Sequence, residues 1–193
     1  MLGLKLPTDP RWVNIAEKNI EDILADHAWC EQKAASSGIS LIVRYSDCKR
    51  LVDEVSPVVA EEWGHFRKVL REMEKRGCDL NLKRKDEYVV KLTQVKRNGG
   101  SRMEQLIEEL LVFALIEARS CERFRLLSLQ ISDPKLKDFY HEFMVSEAGH
   151  YTMFLELANY YMPADYVKKR WEEYLLAEAE IIANLEIRGD RMH

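Results

Sequence analysis

The sequence predicts an all-α protein: four long helices in a bundle, with a further helix at the C-terminal end. Three observations carry this. Only five prolines and eight glycines punctuate the 193 residues, which leaves long stretches of apolar periodicity near 3.6. Those stretches open on helix-start signals, either an Asp-Pro pair or a Ser-x-x-Glu box. No two alternating segments read as a pair of strands.

Asp9-Pro10 offers an N-cap and a first helical proline. Apolar positions then recur at Val13, Ile20, Ile23, Leu24, Ala28 and Cys30, until Gly38 supplies a C-terminal stop. The next segment, ISLIVRYSDC, has an apolar core with strand propensity but nothing to pair with, and reads as a helical turn or connector. A second helix is expected over residues 47–76, broken or kinked near residues 54–56 by Pro57 and closed by Gly77. Ser101 and Glu104 form a capping box directly after Gly99-Gly100. The helix they open is apolar on nearly every side in its middle, which places it at the bundle centre. Asp133-Pro134 opens a fourth helix that runs to about residue 161, where Pro163 stops it, and a last helix covers about residues 164–187. The link over residues 77–100 is long enough to return the chain to the opposite end of the bundle. The fold class is therefore a ferritin-like four-helix bundle with a long crossover connection and an extra C-terminal helix, in a single domain over residues 1–193.

Composition narrows the class. A chain that is 47% hydrophobic and 32% charged is globular, neither disordered nor membrane-embedded. No apolar run approaches the roughly 20 residues of a membrane helix. The opening MLGLKLPTDPRW lacks the pattern of a secretory signal. Cys30, Cys48, Cys78 and Cys121 are scattered, as free thiols of a cytoplasmic protein would be.

The chemistry lies in two Glu-x-x-His pairs, Glu62 with His65 and Glu147 with His150. Positions i and i+3 share a helix face, so each pair can ligate one metal ion. Glu31 precedes Glu62 by 31 residues, and Glu117 precedes Glu147 by 30, about one helix and return in each case. Two such half-sites facing each other in a bundle make a cage of four carboxylates and two imidazoles for a pair of iron or manganese ions. Its carboxylates offset the four positive charges of two divalent ions. Glu117 stands in an apolar stripe with Leu110, Phe113, Ala114, Cys121 and Phe124, where an unpartnered carboxylate is costly. Glu122 is the alternative sixth ligand, but it lies only 25 residues before Glu147 among Arg119, Arg123 and Arg125, and reads better as an exposed ion pair. Asp138 with His141 has no matching upstream carboxylate and reads as surface. His27, one turn before Glu31, reads as a packed or supporting histidine.

The stretches DHAWCEQKAASSGISLI, EEWGHFRKVLREMEKRG, LLVFALIEARSCERF and FMVSEAGHYTMFLELA resemble the bacterial tRNA 2-methylthio-isopentenyladenosine hydroxylases, over about residues 5–190. The resemblance implies a ferritin-like, non-haem di-iron monooxygenase. It assigns Glu31, Glu62 and His65 to one iron and Glu117, Glu147 and His150 to the other, with Glu62 and Glu147 bridging. It further implies that O₂ is co-substrate and that a reductase or ferredoxin supplies two electrons. One oxygen atom enters a terminal methyl of the isopentenyl group on the adenosine next to the anticodon, and the other leaves as water. An apolar pocket follows from that substrate, with Leu110, Phe113, Phe154 and Val58 as candidates by helical phase. Other ferritin-like di-metal proteins (iron storage, manganese catalase, peroxidase) and a metal-free helical interaction module are the alternatives. A monomer or small homo-oligomer is expected, with no membrane partner.

Charge bears on tRNA as partner. The chain has a formal charge of −4, yet residues 66–102 hold twelve Lys and Arg against five Asp and Glu. With the resemblance, the crossover residues Lys83, Arg84, Lys85, Lys91, Lys96 and Arg97 are expected to contact phosphates, and Tyr88 to stack on an unpaired base. Lys168, Lys169 and Arg170 form a second, shorter basic run.

Overall fold

The computed structural model describes residues 2–80 and 86–193, and among these it holds seven helices and no strand. The chain divides into two compact units, one built from residues 11–80 with 188–192, the other from residues 2–10, 86–187 and His193.

The first unit contains α1 (Trp12–Lys18), α2 (Ile20–Arg44) and α3 (Lys49–Arg76). The helix expected from Asp9-Pro10 begins instead at Trp12 and breaks at Asn19. There the side-chain amide donates to the Ile15 carbonyl (2.8 Å), a local bond with which Asn competes against helix continuation. Gly189 packs against this break so closely that a Cβ on it would lie 2.5 Å from Ile15 Cγ2. Gly38 does not end α2, and residues 39–44 are its last turns rather than a connector. Its role is close approach: a Cβ there would stand 2.6 Å from Val59 Cγ2 on α3. Pro57 does not break α3 either, because it sits on the exposed side, where the carbonyl it strands faces solvent. Gly77, at φ 70°, ends α3 in a left-handed cap, and Cys78 N donates back to Met73 O (3.0 Å). The short link between α2 and α3 makes them an antiparallel pair.

The second unit contains α4 (Glu87–Gln94), α5 (Arg102–Gln130), α6 (Pro134–Tyr161) and α7 (Ala164–Ala183). The crossover thus carries a helix of its own, capped by Asp86, which accepts from Val89 N (3.0 Å). The capping box of α5 forms as expected: Ser101 Oγ accepts from Glu104 N (3.2 Å) and Glu104 accepts from Ser101 N (2.7 Å). Asp133 caps α6 through Lys135 N (2.9 Å). The α5–α6 pair is sewn by aromatic stacking of Phe113 on Phe154 (5.0 Å) and Phe124 on Tyr140 (5.7 Å). Two buried ionic clusters fasten α7 to α5. Glu108 accepts from the Arg170 guanidinium and from Tyr174 Oη, each at 2.7 Å. Arg119, fully buried, pairs with Glu178 at 2.6 Å. Buried pairs of this kind fix which faces meet more than they add net stability.

Candidate metal centre

In the first unit α2 supplies Glu31 and α3 supplies Glu62 and His65, and one ligand atom from each lies within 4.8 Å of the others. His65 Nδ1 is 3.4 Å from Glu31 Oε2 and 3.7 Å from Glu62 Oε2. These separations exceed a hydrogen bond but suit neighbouring ligands, since bonds of about 2.1 Å at right angles put ligand atoms about 3 Å apart. His27 Nε2 lies 2.6 Å from Glu31 Oε1, so one carboxylate oxygen is held from behind while the other faces His65. That is the supporting role expected of His27.

The second unit repeats the arrangement. Glu117 of α5 and Glu147 and His150 of α6 bring ligand atoms within 4.8 Å of one another. His150 Nδ1 is 3.6 Å from Glu147 Oε2, an oxygen that is buried and accepts no hydrogen bond. Both histidines therefore turn Nδ1 toward carboxylates. Each Nε2 faces the side chain four residues earlier: Glu61 for His65 (3.8 Å) and Ser146 for His150 (3.5 Å). This outward pair was missed in the sequence, although its i−4 spacing is the same in both motifs.

The donor set fits hard divalent metal. All four glutamates are buried, and buried carboxylates need cations or donors to offset desolvation. Thiolate ligation by Cys121 does not compete. The four cysteines are free thiols, and burial, aided by Glu147, pushes the Cys121 thiol up to about 12. It stays protonated and donates to the Met144 carbonyl (3.3 Å).

Other sequence expectations divide. Asp138 and His141 are exposed, as expected. Glu122 is ion-paired with Arg119, but the pair is buried rather than exposed. Glu122 also accepts from Thr8 Oγ1 (2.6 Å) and Thr8 N (3.2 Å), which ties down the N-terminal segment and commits this carboxylate to structure. Tyr88 is not available for base stacking: it is buried against His193 (5.1 Å between centroids), with its hydroxyl 3.4 Å from Glu178. Tyr88 shares the buried face of α4 with Leu92, four residues on, which turns it inward. Lys96 is bound to Glu109 (2.9 Å) and Arg97 to Glu173 (2.6 Å), while Lys91 is half-buried. Lys83, Arg84 and Lys85 lie outside the described residues. In the second basic run Lys168 and Lys169 are exposed, but Arg170 is buried on Glu108. Of the pocket candidates, Leu110, Phe113 and Phe154 gather beside the second triad, one or two turns along α5 and α6, and Val58 is half-buried one turn before Glu62.

Two antiparallel helix pairs, each carrying a Glu and a Glu-x-x-His, define the ferritin-like carboxylate class of helical proteins. Within that class the chain belongs to the tRNA-(MS[2]IO[6]A)-hydroxylase (MiaE) family, whose model matches residues 2–193. It is 37% identical to the tRNA 2-(methylsulfanyl)-N(6)-isopentenyladenosine(37) hydroxylase of Pseudomonas putida, over 93% of this chain and 86% of that protein. It is 26% identical to the enzyme of the same name from Salmonella typhimurium, over 93% of this chain and 83% of that one. Among solved structures it is similar to a Synechococcus protein described as having aldehyde deformylating oxygenase activity. That similarity has a TM-score of 0.92 and 33% identity, covering 98% of this chain and 94% of the other.

Proposed function

We propose that this chain hydroxylates the isopentenyl group of 2-methylthio-isopentenyladenosine next to the anticodon of tRNA, in the cytoplasm. Glu31, Glu62, His65, Glu117, Glu147 and His150 would hold two iron ions. The observation that carries this reading is the repeated triad of two buried glutamates and a histidine, with Nδ1 of each histidine turned toward carboxylate oxygen. When bound, the iron pair supplies reductive activation of O₂. The balance is one methyl C–H, O₂, two electrons and two protons giving one C–OH and one water. The electrons come from an external reductase or ferredoxin.

The protein's own residues do the positioning. His27 holds Glu31 by Oε1, which leaves Oε2 as the ligand atom. Glu61 and Ser146 stand at the outer nitrogens of the two histidines and favour Nδ1 as the metal-facing atom. The stacked Phe113 and Phe154, with Leu110, provide apolar surface one or two turns from Glu117 and His150. Such a wall suits a branched five-carbon chain and excludes water from the oxidising centre. Contact of residues 83–85 with the RNA backbone belongs to the same proposal.

The test is turnover with the ferrous-loaded chain, a reductant, O₂ and an anticodon stem-loop RNA carrying the modified adenosine. The expected product is that nucleoside with one added oxygen on the isopentenyl group. The Synechococcus neighbour raises a second reading, aldehyde deformylation. Formate release from a long-chain aldehyde, with the RNA nucleoside unchanged, would favour it.

A further inference from the structure

The outer face of α3 carries a feature that the metal site does not use. Trp63, Arg67, Arg71 and Lys75 recur every four residues, and Lys68 flanks the row. Trp63 follows the ligand Glu62 directly, yet its side chain is 50% exposed, rare for so large an aromatic. It leans on half-buried Phe66 (5.0 Å between centroids), forming a ledge open on its outer side. Arg67 and Arg71 are exposed and pair with no carboxylate among the described residues. That sets them apart from Lys96, Arg97, Arg119 and Arg170, each bound to a glutamate. On this face residues 63–75 offer one exposed acid, Glu74, since Glu72 is taken by Lys75 (3.0 Å) and Arg76 (2.9 Å). The crowding of like charge is real: after burial, Arg71 and Lys75 are the causes that lower the Lys68 pKa.

We propose that this row of α3, Trp63 with Arg67 and Arg71, is a surface that tracks the phosphate backbone of the substrate RNA. This rests on the tRNA reading above and adds the place of contact. Four-residue steps along a helix are about 6 Å, so the row offers side chains at regular intervals over roughly 12 Å. Cations that follow a backbone beside an aromatic on which a base can stack are the general solution for single-stranded nucleic acid. The row also begins at the ligand-bearing turn of α3. A strand lying along it brings an unpaired base to the part of the helix that holds Glu62 and His65. The crossover residues favoured by the sequence do less of this, because Tyr88, Lys96 and Arg97 are occupied within the protein.

The test is binding of the modified anticodon stem-loop RNA by the iron-loaded full chain, as a function of salt, for wild type, Arg67→Glu/Arg71→Glu and Trp63→Ala. Each lost phosphate contact lowers the slope of log K against log salt by about 0.7 to 0.9. The double variant should bind at least about tenfold more weakly at low salt with a slope smaller by about 1.5. Trp63→Ala should weaken binding while leaving the slope unchanged. Iron content and helicity should match wild type in both, since all three side chains are solvent-facing. An unchanged affinity and slope in the double variant would overturn the proposal. So would unchanged RNA binding with turnover slowed only at limiting electron donor, which would give the face to an acidic redox partner. A wild-type chain that neither binds nor oxidises the RNA would instead overturn the functional reading itself.

Discussion

At the scale of single residues, the six proposed ligands separate from their neighbours by what else each side chain touches. Glu122 is saturated by Arg119 and Thr8, whereas Glu147 keeps a buried oxygen that accepts no hydrogen bond. Replacing Glu62 or Glu147 by Ala should abolish stoichiometric iron binding and keep a helical far-ultraviolet spectrum. Two irons retained in either variant would refute the ligand assignment. His27→Ala removes the group holding Glu31 Oε1 and should weaken iron affinity about 10- to 100-fold, measured by competition with a chelator. Cys121 makes a contrasting prediction. With its thiol near 12 in the fold, above the ordinary value, the native state keeps a proton that the unfolded chain releases. Its contribution to stability is thus intact below the unfolded value of about 8.5 and lost as pH rises toward 12. Cys121→Ser should bind iron normally and flatten that alkaline loss in urea titrations. Iron loss in this variant would assign the sulfur a role it lacks here.

At the scale of elements, caps were legible and interruptions were not. Ser101, Asp133 and Gly77 act where the sequence places them, because capping needs only the local chain. Gly38 and Pro57 misled for the opposite reason. Whether a glycine ends a helix or lets a neighbour approach depends on Val59, 21 residues away. Proline costs a helix one hydrogen bond and a clash with the carbonyl four residues back, and whether the helix survives depends on surroundings that the local sequence does not show. The short α4 was missed because its inward face is defined by His193 and Glu178, far along the chain. The clustering of each Glu-x-x-His pair was legible because that spacing is itself local, while Glu61 and Ser146 at the outer nitrogens were overlooked. Helical glycines give a paired prediction. Gly38→Ala should lower the melting temperature, since its Cβ would meet Val59 Cγ2 at 2.6 Å. Gly149→Ala, with nothing within 4 Å of its Cβ, should raise stability by about 1 kcal/mol. A Gly38→Ala variant as stable as wild type or more so would contradict the packing described for α2 and α3.

At the scale of the whole molecule, family membership and the site chemistry point the same way. The family match runs over residues 2–193, and the similar Synechococcus structure also carries an oxygenase description. Both helix pairs of this chain hold a cluster of two buried glutamates and a histidine. A net charge of −4 does not oppose an RNA substrate, because residues 66–102 hold twelve Lys and Arg against five acids, while Glu108 and Glu178 are held in buried pairs elsewhere. No helix among the described residues is long and apolar enough to cross a membrane. The most direct test of the central claim is elemental analysis of metal per chain after anaerobic ferrous loading and removal of loose ions. Two tightly held irons per chain, reduced to none by Glu62→Ala, is the predicted result. A folded wild-type chain that retains no iron would contradict it, and would reduce the two triads to buried carboxylates without a metal.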